Sequence, residues 1–200
     1  MKILSISLLK WREDTAEPVY LAAATDLSSF GYFERSTAAQ FVKFISRTLI
    51  KRTPKGKRQT VLHEGNNVHT YLRSDGLGAA IVADQEYPER VAFTVMNKLL
   101  DDFHASCGQQ WPGVAEDSKI PFEALDKAIV EFQDPAKADK ITKIQKDLDQ
   151  TMEVMHKTID SVLERQVKLD KLVEDSQDLT MQSKAFYTTA KQHNQCCVIC

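Results

Sequence analysis

The stretch running from Ile141 to His193, ITKIQKDLDQTMEVMHKTIDSVLERQVKLDKLVEDSQDLTMQSKAFYTTAKQH, decides how the chain is organised. Alternate steps of three and four land on Ile141, Ile144, Leu148, Thr151, Met155, Thr158, Val162, Arg165, Leu169, Leu172, Ser176, Leu179, Ser183, Phe186, Ala190 and His193, with no slip of register. That spacing keeps one stripe facing its partners as helices supercoil, so it predicts a long coiled-coil helix. From Lys137 onward there is no Gly and no Pro, in keeping with one uninterrupted helix. One seam position departs from an ordinary zipper. Arg165 would carry a guanidinium into an apolar layer, which is costly unless amide oxygens such as those of Gln on partner helices satisfy its donors. A polar layer of that kind fixes alignment and stoichiometry. Small seam residues (Ser176, Ser183, Ala190) interleaved with Leu179 and Phe186 suit a four-helix bundle better than a plain dimer.

Upstream of the seam, Asp134-Pro135 marks a change in character, and the residues before it read as an α+β domain. Strands are expected near 2–10, 18–24, 57–63, 67–73 and 78–84, the last three separated by the turn chemistry of Glu64 to Asn67 and Ser74-Asp75-Gly76. Period-2 alternation of Leu4, Ile6 and Leu8 predicts that these three share one face of the first strand. Ser36 or Thr37 is the expected cap of a helix carrying Phe41, Phe44, Ile45 and Leu49, while Pro88 opens a second helix and Phe122 to Phe132 forms a third. The result is one antiparallel sheet packed against helices. Phe41 and Phe44 fall on one helix face, where the domain core and a contact with another segment are both open destinations.

Two hundred residues with 42% apolar and 27% charged side chains are enough for one globular domain and an accessory segment. A net charge of −2 gives no overall drive toward nucleic acid, and no nucleic-acid partner is expected. The apolar runs fall well short of the roughly 20 residues that span a bilayer. Cys107 stands alone and Cys196, Cys197 and Cys200 crowd the end, which makes neither a disulfide framework nor a zinc site, so a reducing compartment is expected. His104 and Cys107 have no orienting third group, and Gly56-Lys57-Arg58 lacks the rest of a phosphate-binding loop, so no enzyme and no small GTPase is expected. The basic run Lys51, Arg52, Lys55, Lys57 and Arg58 reads as a solvated turn.

The last four residues, Cys197-Val198-Ile199-Cys200, form a C-a-a-X prenylation signal with Cys197 as the thioether site. A single lipid holds a protein to a membrane only reversibly, and Lys184 and Lys191 are too few for a polybasic supplement. Cys196 is therefore the expected second lipid site, for palmitate or a second prenyl group. Cys200 leaves farnesyl and geranylgeranyl both open. No metal and no cofactor is expected beyond these covalent lipids.

Phe30-Gly31-Tyr32-Phe33-Glu34-Arg35-Ser36, Arg73-Ser74-Asp75, Glu86-Tyr87-Pro88, Gln133-Asp134-Pro135, Val162-Leu163-Glu164-Arg165, Ser183-Lys184-Ala185-Phe186-Tyr187 and the Cys-Cys-a-a-X end stand together in one chain. This conjunction resembles the longin-domain R-SNAREs, and within them the lipid-anchored YKT type. The resemblance implies a profilin-like longin domain over 1–133, an antiparallel five-stranded sheet with helices on both faces, then an R-SNARE coiled coil over 134–195 and a lipid tail over 196–200. It implies Arg165 as a central-layer arginine facing three Q-SNARE helices, zippering that fuses membranes without covalent chemistry, and trafficking factors that bind the longin domain. It also implies a domain that folds back on its own SNARE segment or shields the prenyl group, with Phe41 and Phe44 as fold-back contacts, and a protein shared between cytosol and the cytoplasmic face of Golgi, endosomal and vesicle membranes. The alternative is a prenylated trafficking regulator or tether that dimerises through its helix.

Overall fold

The computed structural model describes residues 2–134, 137, 153–163 and 168–196, the last five through their backbone alone. Its first five strands are β1 (Ile3–Lys10), β2 (Val19–Thr25), β3 (Lys57–His63), β4 (Asn66–Leu72) and β5 (Leu77–Asp84). They pair antiparallel in the order β2-β1-β5-β4-β3. Helix α1 (Arg35–Lys51) lies on one face, and α2 (Glu89–Cys107) and α3 (Glu123–Glu131) lie on the other.

The two faces are sorted by side-chain alternation. Ile3, Ile6, Leu8, Leu21 and Ile81 point toward α2 and α3, where Phe93, Met96, Leu100 and Phe103 complete the larger core. Val61, Val68 and Val82 point toward Ile45 and Leu49 of α1. Leu4 departs from the alternation, because the β1–β5 register shifts between Ile3 and Ser5 and places Leu4 in the α1-side cluster, away from Ile6 and Leu8. The β4–β5 turn needs its glycine. Gly76 has φ +91°, and a Cβ there would lie 2.6 Å from the Trp11 carbonyl oxygen.

Two further expectations require correction. Helix α1 begins at Arg35 with Glu34 at its N-cap and no side-chain cap bond, so neither Ser36 nor Thr37 caps it. The tight turn made by the Glu34 and Arg35 amides on the Gly31 carbonyl starts the helix early. The sheet, moreover, has six strands and is mixed. β6 (Val154–Thr158) comes from the heptad segment and runs parallel to β3, pairing Arg58 with Val154 through Leu62 with Thr158.

The single long helix is likewise absent from the described part of that segment. β6 is followed by α4 (Ile159–Val162), α5 (Leu169–Asp175) and α6 (Met181–Cys196), with Ser176 leaving α5 in extended backbone. Apolar residues of the heptad segment pack instead against the sheet and α1.

Candidate functional site

Helix α1 is apolar on two sides. Val42, Ile45 and Leu49 seat it on the sheet, while Phe44, 5% exposed, turns away from the sheet into a cluster with Val173 of α5 and Leu179. Phe41 packs at the margin of this cluster, 6.5 Å edge-on from Phe44 and 5.6 Å from the Tyr187 ring of α6. Leu169 and Leu172 bridge the cluster to the sheet-side core, where Ile159 and Leu163 are also buried. α1 is thus sandwiched between the sheet and the C-terminal segment.

Polar contacts fix the register. The Thr180 amide donates to Gln40 Oε1 at 2.8 Å, and the Ser183 hydroxyl, buried, meets Thr37 Oγ1 at 3.4 Å. Asp178, whose side chain is 9% exposed, accepts Arg47 Nε at 2.7 Å and Nη2 at 3.0 Å, with Lys43 Nζ at 3.0 Å. Arg47 also donates to Asp117 Oδ2 and to the Pro18 carbonyl, each at 2.6 Å. Burial opposes charge on Lys43 and Arg47, but their bonds to Asp117 and Asp178 outweigh it and hold both pKa values above the ordinary range. Burial likewise opposes ionisation of Asp117, yet hydrogen bonds from Arg47 and Lys43 bring its pKa down to about 2. Within the segment, Lys191 bridges to Asp170 at 2.6 Å and Lys184 donates to the Glu174 carbonyl, tying α6 to α5.

Between α1, the sheet end and α6 lies a mostly apolar cavity of about 300 Å³, with Phe30, Phe41, Ile45, Leu169, Val173 and Phe186 in its wall. Among the described residues no cluster of potential metal ligands occurs, and no helix is long and apolar enough to cross a membrane.

Residues 27–129 match the longin family model, a regulated-SNARE-like domain, and residues 140–198 match the synaptobrevin family model. The chain is 49% identical over 199 residues to the VAMP-like protein YKT61 of Arabidopsis thaliana, covering 100% of both chains. It is 44% identical over 201 residues to the synaptobrevin homolog YKT6 of Yarrowia lipolytica, again covering 100% of both. With the synaptobrevin homolog YKT6 of Saccharomyces cerevisiae it shares 43% over 192 residues, 94% of this chain and 96% of that one. The chain belongs to the YKT-type longin R-SNARE family.

A YKT-type longin R-SNARE is a vesicle-trafficking protein that partners with helices of other SNAREs, and the family is not one of enzymes. In this R-SNARE the expected seam is divided. Ile141, Ile144, Leu148, Thr151 and Arg165 lie outside the described residues, as does the prenylation site Cys197, while His193 and Cys196 are described only as backbone of α6. Met155 sits in β6, and exposed Thr158 uses its amide to hydrogen-bond Ser161 Oγ at the start of α4. Val162, Leu169 and Leu172 are half-buried, Leu179 and Ser183 are buried, and Ser176 accepts the Asp178 amide. Phe186 is 51% exposed and Ala190 is exposed. Sequence reasoning missed Val173, Tyr187 and the Arg47–Asp178–Asp117–Lys43 cluster. The only signal for the cluster was opposite charge, a Lys-Arg pair one turn apart on α1 and the acidic run around Asp175 and Asp178.

Proposed function

We propose that this chain is a fusion R-SNARE held closed by its own longin domain. On release, residues 141–193 zipper with three Q-SNARE helices into a parallel four-helix bundle, Arg165 facing three glutamines, and the growing bundle draws two membranes together. Burial of the seam at about 25 cal/mol per Å² of apolar surface drives the step. Cys197 carries the prenyl group and Cys196 a second, removable lipid, so attachment to Golgi, endosomal and vesicle membranes is reversible. The apolar cavity beside Phe41 is the shelter for a prenyl chain while the protein is cytosolic, and trafficking factors bind the longin domain.

One observation carries this reading. Leu172, Leu179 and Ser183, which the heptad spacing assigns to a bundle seam, are among the residues packed on α1, beside Val173 and Tyr187. The same atoms cannot face α1 and three partner helices at once, so the two states exclude each other. Covering the seam also removes an apolar stripe that would promote aggregation in the free monomer.

The test mixes the full chain and its Phe44→Glu variant with three Q-SNARE helices. The expected result is a larger solution radius for the variant alone and faster formation of a four-helix assembly. Equal dimensions and equal rates would overturn the closed state, and self-dimerisation without uptake of Q helices would favour a tether instead.

A further inference from the structure

Tyr32 and Phe33 are 80% and 91% exposed and stack edge to face, 5.4 Å apart, at the tip of the loop between β2 and α1. Single exposed apolar residues are ordinary on a protein surface, but an adjoining pair of rings held clear of every core is not. The loop beneath them is braced rather than slack. Arg35 donates to the Phe30 and Ser28 carbonyls, Lys2 Nζ donates to Ser28 Oγ, and the Gly31 amide donates to Glu34 Oε2. A rigid platform presents the two rings to solvent at no further ordering cost.

Position adds a second observation. Phe30 and Glu34, on either side of the pair, line the apolar cavity, and Phe186 and Tyr187 of α6 line it from the other side. The rings therefore flank the rim of the cavity, whose opposite wall is supplied by the helix that runs on to Cys196.

We propose that Tyr32 and Phe33 form a membrane-contacting finger that seats the mouth of this cavity on a lipid bilayer, where a prenyl chain passes between cavity and bilayer. The proposal rests on the lipid-anchor reading for its purpose, though not for its geometry. A lipid surface suits the pair better than a protein partner. The flanking residues Ser28, Ser29, Glu34 and Arg35 are exposed and polar, so the patch lacks the apolar breadth of a standard protein interface, whereas two protruding aromatic rings suffice to enter the interfacial zone of a bilayer. The charges beside the pair, Lys2 and Arg35 against Asp26 and Glu34, balance and the cavity wall adds exposed Glu64, so insertion is driven by apolar contact rather than by attraction to anionic lipid.

The test uses the full chain with Cys196, Cys197 and Cys200 changed to Ser and a C-terminal His-tag. The tag tethers it to phosphatidylcholine vesicles that contain nickel-chelating lipid, so that recruitment does not depend on lipidation. Phe33→Trp in this background should show fluorescence quenched by brominated phosphatidylcholine beyond the background of Trp11 and Trp111, at low and at high salt alike. In the lipidated protein, Tyr32→Ser with Phe33→Ser should lower retention on phosphatidylcholine vesicles about tenfold, as expected for two rings leaving the interface. Quenching of the Phe33→Trp variant no greater than that background, or equal retention of the double variant, overturns the finger and leaves a protein partner as the reading of the pair. If the lipidated parent itself is not retained, the anchor reading fails, and the tethered measurement still judges the finger.

Discussion

Replacing Asp178 with alanine should open the chain without unfolding the longin domain. Its carboxylate, 9% exposed, takes two bonds from Arg47, at 2.7 and 3.0 Å, and one ion pair from Lys43 at 3.0 Å. Exposed ion pairs contribute about 0–1 kcal/mol, and truncating one partner of a fully buried pair costs about 3–5 kcal/mol because the other charge is stranded. Arg47 is not stranded here, since Asp117 and the Pro18 carbonyl still hold it at 2.6 Å each. The loss should therefore be about 1–2 kcal/mol, a shift of about 5- to 30-fold in the ratio of open to closed chain. Asp178→Asn keeps an acceptor oxygen for one Arg47 donor and should fall below that range. Amide hydrogen exchange reads the effect directly: α5, α6 and β6 should lose protection by this factor while β1 and β5 keep theirs. Unchanged protection of α6, or equal loss in β1 and β5, would refute the claim that this carboxylate latches the segment.

Other outcomes follow from single contacts. His69 is fully buried on β4, its Nδ1 2.9 Å from Thr60 Oγ1, which itself donates to Glu89, and burial followed by the nearby His156 lowers its pKa to about 4. The unfolded imidazole takes a proton near pH 6.5 while the folded one refuses it, so this contribution is complete above pH 6.5 and is lost as pH falls toward 4, by about 3 kcal/mol in all. Urea unfolding against pH checks it, and an NMR titration of His69 centred near 6.5 would contradict it. Gly76→Ala should cost about 1–3 kcal/mol, because its φ of +91° and the 2.6 Å approach to Trp11 leave no room for a side chain. Thermal unfolding would measure this, and an unchanged midpoint would show that the turn relaxes freely. Cys197→Ser should leave the protein wholly in the soluble fraction, and normal membrane recovery would refute prenyl anchoring.

The domain was legible in the sequence where local chemistry governs. Turn residues such as Asp75-Gly76 and helix periodicity such as Phe41, Phe44, Ile45 and Leu49 placed the first five strands and three helices near their observed bounds. β6 was not legible. Met155 and Thr158 satisfy the heptad spacing, and only the open edge of β3 makes a strand of residues 154–158. Leu4 left its expected face for a similar reason, since the register shift with β5 is set by a distant strand. Of the candidate site, Phe41 and Phe44 could be named, but not their division of labour, because it depends on where Val173 and Leu179 arrive. The Arg47–Asp178 contact joins residues 131 positions apart, and no local pattern announces it.

On the proposed reading one segment has two structures, a broken strand-and-helix form on α1 and a continuous helix among partners. Spin labels at Asp160→Cys and Gln182→Cys, both exposed positions, measure this most directly. An uninterrupted helix rises about 1.5 Å per residue, so on addition of three Q-SNARE helices the distance between labels should move to about 33 Å. A distance distribution that the partner helices leave unchanged would contradict the account.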